Sequence, residues 1–349
     1  MSVSIKDIAK AAGVSHSTVS RALSNSSLVN AETKSLIQRL ADEMGYSPDA
    51  QARSLVMGRT HTVGVVVTTI TDPFIAEIVQ AIERIALDHG YSVILASSNA
   101  ESEREIAAVE MLHSKRVDGL VVTSSRVGVL YQDHLDRLGV PVVLVNSHSQ
   151  QRGRYTFSVS VDNHHGAFLA TNHLLELGHR RIAYVTGPAD HSDDLDRFAG
   201  YRQALGQAGI VLDQALVVPG TGRLDGGERA WPVLRGLNDP PTAVFCYNDM
   251  TAIGLLRVAR QEGVSVPGEL AVVGFDDIPF ASYVHPRLTT LAQPTALIGQ
   301  QAMDMVLDLM VDRGSGTSNV VVQGKLIVRE SSGAKLRSAV AKSKSGGLS

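Results

Sequence analysis

From Val63 onward, short runs of β-branched and aliphatic residues alternate with amphipathic helical segments, and no other feature of the sequence constrains the fold as tightly. The runs are VGVVVT (63–68), SVILAS (92–97), GLVVT (119–123) and PVVLVN (141–146), with helices expected over 77–89, over 103–114 and between the last two runs. The same rhythm resumes with RIAYVTG (181–187), TAVFCYND (242–249) and LAVVGFDD (270–277), with helices starting near Leu195 and Thr251. Uninterrupted apolar runs suit strands covered on both faces, as in parallel sheets flanked by helices. Two such series predict two similarly built lobes, and 349 residues exceed what one ordinary core serves. With 44% hydrophobic and 19% charged residues the chain can bury those cores, yet no apolar run reaches the roughly 18 residues of a membrane helix.

The first sixty residues follow a different pattern. Ser4 and Asp7 form a capping pair, and Ile5, Ile8 and Ala9 recur at helical spacing as far as Gly13. Gly13 suits the positive φ of a tight turn, Ser15 caps a second helix, and Val19, Ala22 and Leu23 give that helix one apolar face. A third helix is expected from a cap near Asn30, with Leu36, Ile37, Leu40 and Met44 inward and a stop at Gly45 before Pro48.

The second helix turns His16, Ser17, Thr18, Ser20 and Arg21 outward, a set of short donors with one long cation. Arg21 could fork onto guanine O6 and N7, with Ser17 and His16 at neighbouring base edges, while Ser15, Thr18 and Ser20 suit phosphates. A solvated helix face is the plain alternative; the helix and glycine turn in front of it favour the DNA reading. The formal charge of −3 does not oppose this. Residues 1–60 carry seven Lys and Arg against five Asp and Glu, leaving 25 against 30 for the remainder.

The stretch IKDIAKAAGVSHSTVSRALSNSSLVNAETKSLIQRLADEMGYSPDAQARSL (5–55) resembles the headpiece of the lactose and galactose repressor family. The resemblance implies that His16, Ser17 and Arg21 read bases, and that SPDAQARSL (47–55) is a hinge helix. Paired with its copy in the minor groove, that helix would keep close contact through Ala52 and wedge Leu55 between base pairs. The core resembles the periplasmic sugar-binding proteins over 61 to about 330. The fold class expected is therefore α/β: a two-lobed, periplasmic-binding-protein-like core of parallel sheets, preceded by a small all-α helix-turn-helix domain. The expected boundaries are 1–47 for the headpiece, 48–60 for hinge and linker, 61–330 for the core and 331–349 for a disordered tail rich in Ser, Gly and Lys. Within the core, one lobe spans about 61–160 and 291–320, the other about 161–290 and 321–330.

In open α/β sheets ligands lie beyond the carboxyl ends of the strands. The candidates there are Thr68 and Phe74, Thr123, Asp162, His191 and Asp193, Arg197, Asn248 or the adjacent Asp249, and Asp276. Carboxylates, amides and one Arg can bond several hydroxyls, and Phe74 can stack on an apolar sugar face. The family resemblance weighs most on Arg197 (DRFAGY), Asn248 or Asp249 (CYND) and Asp276 (GFDD), although the last two motifs also suit helix caps. One departure is PGTGR (219–223), where relatives place a ligand-stacking aromatic. Arg197 and Arg223 would suit a phosphate or carboxylate, but Asp72, Asp162, Asp193, Asp194 and Asp276 put a neutral sugar first.

No P-loop, HExxH or GxSxG motif occurs, so no enzyme, catalytic residue, cofactor or metal site is expected. The expected partners are a palindromic double-stranded operator, a small sugar-like effector and a second copy of the chain, with no membrane. A dimer is expected rather than a tetramer, because the C-terminal stretch lacks apolar heptads. MSVSIKDIAK has no secretory signal and Cys246 is the only cysteine, which points to the cytoplasm. The other reading kept open is a sugar-binding or transport component without operator specificity.

Overall fold

The structure, a computed structural model, describes residues 3–46, 58–125, 137, 139–146, 156–189, 191–311 and 319–334. Two compact units divide the chain, residues 1–60 and 61–349.

Among the described residues the first unit holds three helices: α1 (Ile5–Ala12), α2 (His16–Leu23) and α3 (Ala31–Glu43). Each begins at a polar residue that meets a helix-end donor or the start of the turn. The Ser4 N–H donates to the Asp7 carboxylate at 2.9 Å, Ser15 Oγ accepts from Thr18 N–H at 3.1 Å, and Asn30 Oδ1 accepts from Thr33 N–H at 2.8 Å. Gly13 turns the chain between α1 and α2 at φ 67°, in the left-handed region where a side chain is strained. Ile8, Ala9, Val19, Ala22, Ile37 and Ala41 are buried together. Leu36 is not among them. It is 38% exposed, and α3 points Ala41 inward, one turn beyond Ile37, where Leu36 was expected.

The second unit contains two six-stranded sheets. One has the order β2-β1-β3-β4-β5-β11, all parallel, from β1 (Thr62–Val67), β2 (Ser92–Ser97), β3 (Gly119–Thr123), β4 (Val142–Val145), β5 (Thr156–Val161) and β11 (Asn319–Val322). The other has the order β7-β6-β8-β9-β10-β12, from β6 (Ile182–Val185), β7 (Val217–Val218), β8 (Ala243–Cys246), β9 (Ala271–Asp276), β10 (Thr289–Ala292) and β12 (Lys325–Ile327). Among the described strands only β12 runs antiparallel, against β10. Strands β3, β4, β6, β8 and β9 are buried along their whole lengths, as their unbroken apolar runs require.

Among the described residues the complete α-helices of this unit are α4 (Pro73–Asp88), α5 (Ser102–Ser114), α6 (Asn163–Glu176), α7 (Ser192–Gln207), α8 (Leu224–Arg235), α9 (Asp249–Gln261) and α10 (Thr295–Met310). Three of them start earlier than apolar periodicity suggests. Asp72 caps α4 and Asn248 caps α9 with their side chains, and α7 opens directly after His191. The helix expected between β3 and β4 falls on 126–136, outside the described residues.

The chain passes between lobes three times, at 162–163, 293–294 and 323–324, where the sequence placed the passages near 160, 290 and 320. β10 stays with the second lobe, α10 returns to pack on α4, and β11 pairs with β5 of the first. The expected tail begins too early: Ser331 is fully buried and Ser332 is 2% exposed. Ser331 Oγ donates to Val272 O at 2.6 Å and accepts from Thr289 N–H at 2.8 Å, so a polar segment is drawn in by backbone groups at the starting ends of β9 and β10 that need partners. Of the remaining tail, 335–349 lie outside the described residues.

Candidate functional site

In the first unit, α2 turns Val19 and Ala22 into the core and leaves His16, Ser17, Ser20 and Arg21 exposed. Thr18 is half-buried, and its hydroxyl shares a 2.9 Å hydrogen bond with Ser15 Oγ, which also bonds Ser17 Oγ at 2.8 Å. Ser15 and Thr18 therefore shape the helix start, while His16, Ser17, Ser20 and Arg21 form one open polar face. Ala52 and Leu55 lie outside the described residues.

In the second unit a cleft of about 730 Å³ opens between the lobes. It sits where each sheet reverses its strand order, beyond the carboxyl ends of β1 and β3 in one lobe and of β6 and β8 in the other. The first lobe contributes Thr68, Thr69, Asp72 and Phe74 after β1, Asn99 after β2, Ser124 after β3 and Asn146 after β4. The second contributes His191, Asp193 and Arg197 from the start of α7, Tyr247 and Asn248 after β8, and Asp276 at the end of β9. Thr68, Phe74, His191, Asp193, Arg197, Asn248 and Asp276 are thus brought to one cavity.

Two candidates are not. Thr123 is the last residue of β3, 2% exposed and within the sheet beside Val145, so the lining position falls to Ser124. Asp162 caps α6, accepting from His165 N–H at 2.9 Å and from Gln323 Nε2 at 3.1 Å. Its role lies in the interlobe passages. Asn248 does both things asked of it: it lines the cleft and caps α9 through Thr251 N–H at 2.9 Å. Asp249 is fully buried, bonded to Thr290 Oγ1 at 2.5 Å and Ile278 N–H at 2.9 Å, and burial pushes its carboxyl well above the usual range.

Arg197 is the most constrained side chain of the cleft. Its guanidinium lies 3.8 Å from the Phe275 ring centroid and 4.5 Å from that of Tyr247. Nε donates to Asn163 Oδ1 at 2.8 Å and Nη1 to Tyr247 O at 2.6 Å, leaving Nη2 3.9 Å from Asp276 Oδ1. Burial alone would lower its pKa, but Tyr247, Asp276 and Asp193 hold it above the usual value. Burial pushes Asp276 up to about 7; Arg197 opposes the rise, and Asp72 and Asp193 add to it. The carboxylates thus face one another across the cavity, and a ligand that donates hydrogen bonds relieves their repulsion.

Asn99, Ser124 and Tyr247 escaped the sequence reading. Asn99, Ala100, Ser124 and Asn146 adopt φ of 53°, 60°, 48° and 49°, and Asp276 adopts 118°, so five non-glycine lining residues hold left-handed backbone at or just after strand ends. A stop to each apolar run was visible; this turn into the cavity was not. Tyr247 directly follows the run AVFC but reads as part of the strand. Its ring abuts Gly187 and the 219–223 loop at Gly222, where a Cβ would lie 2.6 Å and 3.4 Å from ring atoms. An aromatic therefore stands beside the loop from which one is missing.

A family model described as bacterial regulatory proteins, lacI family, matches residues 4–49, and one described as a periplasmic binding protein-like domain matches 171–332. Over 327 residues the chain is 36% identical to the HTH-type transcriptional repressor CytR of Escherichia coli (strain K12), covering 94% of this chain and 95% of that protein. The chain belongs to the LacI family. Another LacI-family relative, the HTH-type transcriptional repressor PurR of Proteus mirabilis (strain HI4320), is 34% identical over 332 residues, 94% of this chain and 96% of that one. Among solved structures, the Lac repressor dimer bound to operator and the anti-inducer ONPF matches with a TM-score of 0.86 at 27% identity, covering 95% of this chain and 99% of that one. The transcriptional regulator CelR–cellobiose complex matches with a TM-score of 0.72 at 32% identity over 94% and 99%.

Proposed function

We propose that this protein is a ligand-responsive transcriptional regulator, a repressor, which binds a palindromic operator as a homodimer under the control of a small sugar-like effector. One observation carries the reading: a single chain joins an open polar recognition helix to a cleft between two lobes lined by polar side chains. One such helix spans only a few bases, and a two-fold pair doubles the contact. His16, Ser17 and Arg21 read base edges; Ser15, Thr18 and Ser20 hold the helix start against phosphates; Ala52 and Leu55 act in the hinge.

The effector is a neutral polyol. Asp72, Asp193 and Asp276 offer acceptors for hydroxyls, Arg197 offers a donor fork, and Phe74 offers an apolar surface. Effector binding changes operator affinity only through different affinities for the two lobe arrangements. The protein acts by binding, without chemistry on the effector, and works in the cytoplasm where its operator is. Among the described residues no helix is long and apolar enough to cross a membrane, and no cluster of His, Cys, Asp and Glu is arranged to hold a metal.

A gel shift tests the core of this. The purified chain should prefer a palindrome from its own upstream region over random DNA at physiological salt, and equal affinity for both would leave the sugar-binding alternative. Recovery of the bound sugar in altered form would instead establish an enzyme.

A further inference from the structure

The passage at 293–294 does more than connect the lobes. Gln293 is 5% exposed, and its side chain joins residues from both sides of the cleft floor. Nε2 donates to Asp276 Oδ1 at 2.7 Å, at the end of β9 in the second lobe. Oε1 accepts from Asn146 Nδ2 at 3.4 Å, just after β4 in the first lobe. Its backbone N–H also donates to Asp276 O at 3.2 Å. The two residues it joins are among those held in left-handed backbone, φ 49° at Asn146 and 118° at Asp276, conformations that persist where the surroundings over-determine them.

We propose that Gln293 is a positioning residue that latches the lobes to each other across the cleft floor, tying Asn146 of one wall to the ligand-facing Asp276 of the other. The inference rests on the regulator reading for its purpose but not for its test. Asn146 Oδ1 is buried and has no hydrogen-bond partner among the described residues, and it belongs to a side chain that lines the cavity. A polyol donating one hydroxyl to Asn146 Oδ1 and another to Asp276 would engage both ends of the latch at once, closing a ring of hydrogen bonds through Gln293. Occupancy would then be felt as a constraint on the lobe angle. A polar side chain at this buried position costs desolvation unless both its ends are used, and both are.

The test needs neither operator nor effector. Spin labels placed through Ser114→Cys on α5 and Gln261→Cys on α9, both exposed, report the interlobe distance distribution of the full chain by pulsed electron paramagnetic resonance. Labelled subunit is diluted with unlabelled subunit, and the native Cys246 is fully buried and does not compete. Gln293→Leu and Asn146→Leu keep volume and remove the bridge. Each should broaden the distribution about twofold, and the double variant should broaden it no further, because the two act through one bond. Asn99→Ala, on the same wall but outside the bridge, should leave the width unchanged. The proposal is overturned by an unchanged width in Gln293→Leu, by additive broadening in the double variant, or by equal broadening in Asn99→Ala. Melting curves on each variant separate a latch from a fold defect: broadening seen only in variants that have lost cooperative melting also overturns it. A gel shift on the same preparations reports the regulator reading separately.

Discussion

The outward face of α2 and the buried Arg197 illustrate two ways in which one Arg can matter. Arg21 is exposed and has space to fork onto a base. Arg21→Ala should weaken operator binding by about 1 to 3 kcal/mol and relax preference at one base position; uniform weakening on all DNA, measured by titration against operator variants, would make it a phosphate contact. Arg197 is 2% exposed, stacked between two rings and bonded to Asn163. Arg197→Ala should abolish the effector response in an operator-binding assay run with and without effector, while effector-free operator affinity is kept. Asp276 contributes to the pH dependence. Its folded pKa of about 7 lies above its ordinary value, so the folded state keeps a proton that the unfolded chain releases. The stability contributed by this group therefore falls as pH rises between about 4 and 7 and then levels off. Asp276→Asn should flatten the wild-type decline in melting temperature across that interval, though not fully, because buried Asp249 shifts in the same direction. Residue types in the cleft were legible because polar residues follow apolar runs. Their left-handed backbone was not, since Ser124 and Asn146 turn where their N–H groups donate to Val145 O and Val159 O of neighbouring strands.

At the scale of elements, caps proved better guides to helix starts than apolar periodicity. Periodicity places both starts late although Phe74 and Ile75 of α4 and Asp193 of α7 are already buried, because Pro73 and the polar first turn of α7 break the apolar pattern, whereas Asp72 binds the Phe74 N–H of α4 directly. Glycines mark where elements touch. A Cβ on Gly254 of α9 would lie 1.9 Å from Leu224 O, and one on Gly227 of α8 would lie 1.9 Å from Thr251 O. Backbone on both sides leaves nothing flexible to yield. Gly254→Ala should destabilise the second lobe by about 3 kcal/mol, the upper end of ordinary overpacking, as read by denaturant unfolding. Normal stability would mean that α8 and α9 can separate without loss. The segment after Ile327 shows the opposite case: Ser331 and Ser332 look like the start of a solvated tail, yet they meet donors and acceptors at the starting ends of β9 and β10.

For the whole molecule, the division at Thr60 and His61 predicts separable functions. A chain starting at His61 should retain the thermal stabilisation given by whichever sugar shifts the full protein, about 2.7 kcal/mol at a hundredfold excess over its Kd, and should lose operator binding. If the shorter chain no longer responds to that sugar, the first sixty residues contribute to the site. By itself the sequence determined the three-helix headpiece, the alternating α/β core, the family and most residue types of the cleft, because periodicity, caps and turn residues act over a few positions. Only the tertiary structure decided that Asp162 belongs to the interlobe passages, that Asn248 faces the cavity while Asp249 is buried, and that Tyr247 stands beside the loop lacking its aromatic. It also decided that Gln293 meets Asn146 and Asp276. These depend on contacts across tens to more than a hundred positions, and no local pattern records which strand end will face which.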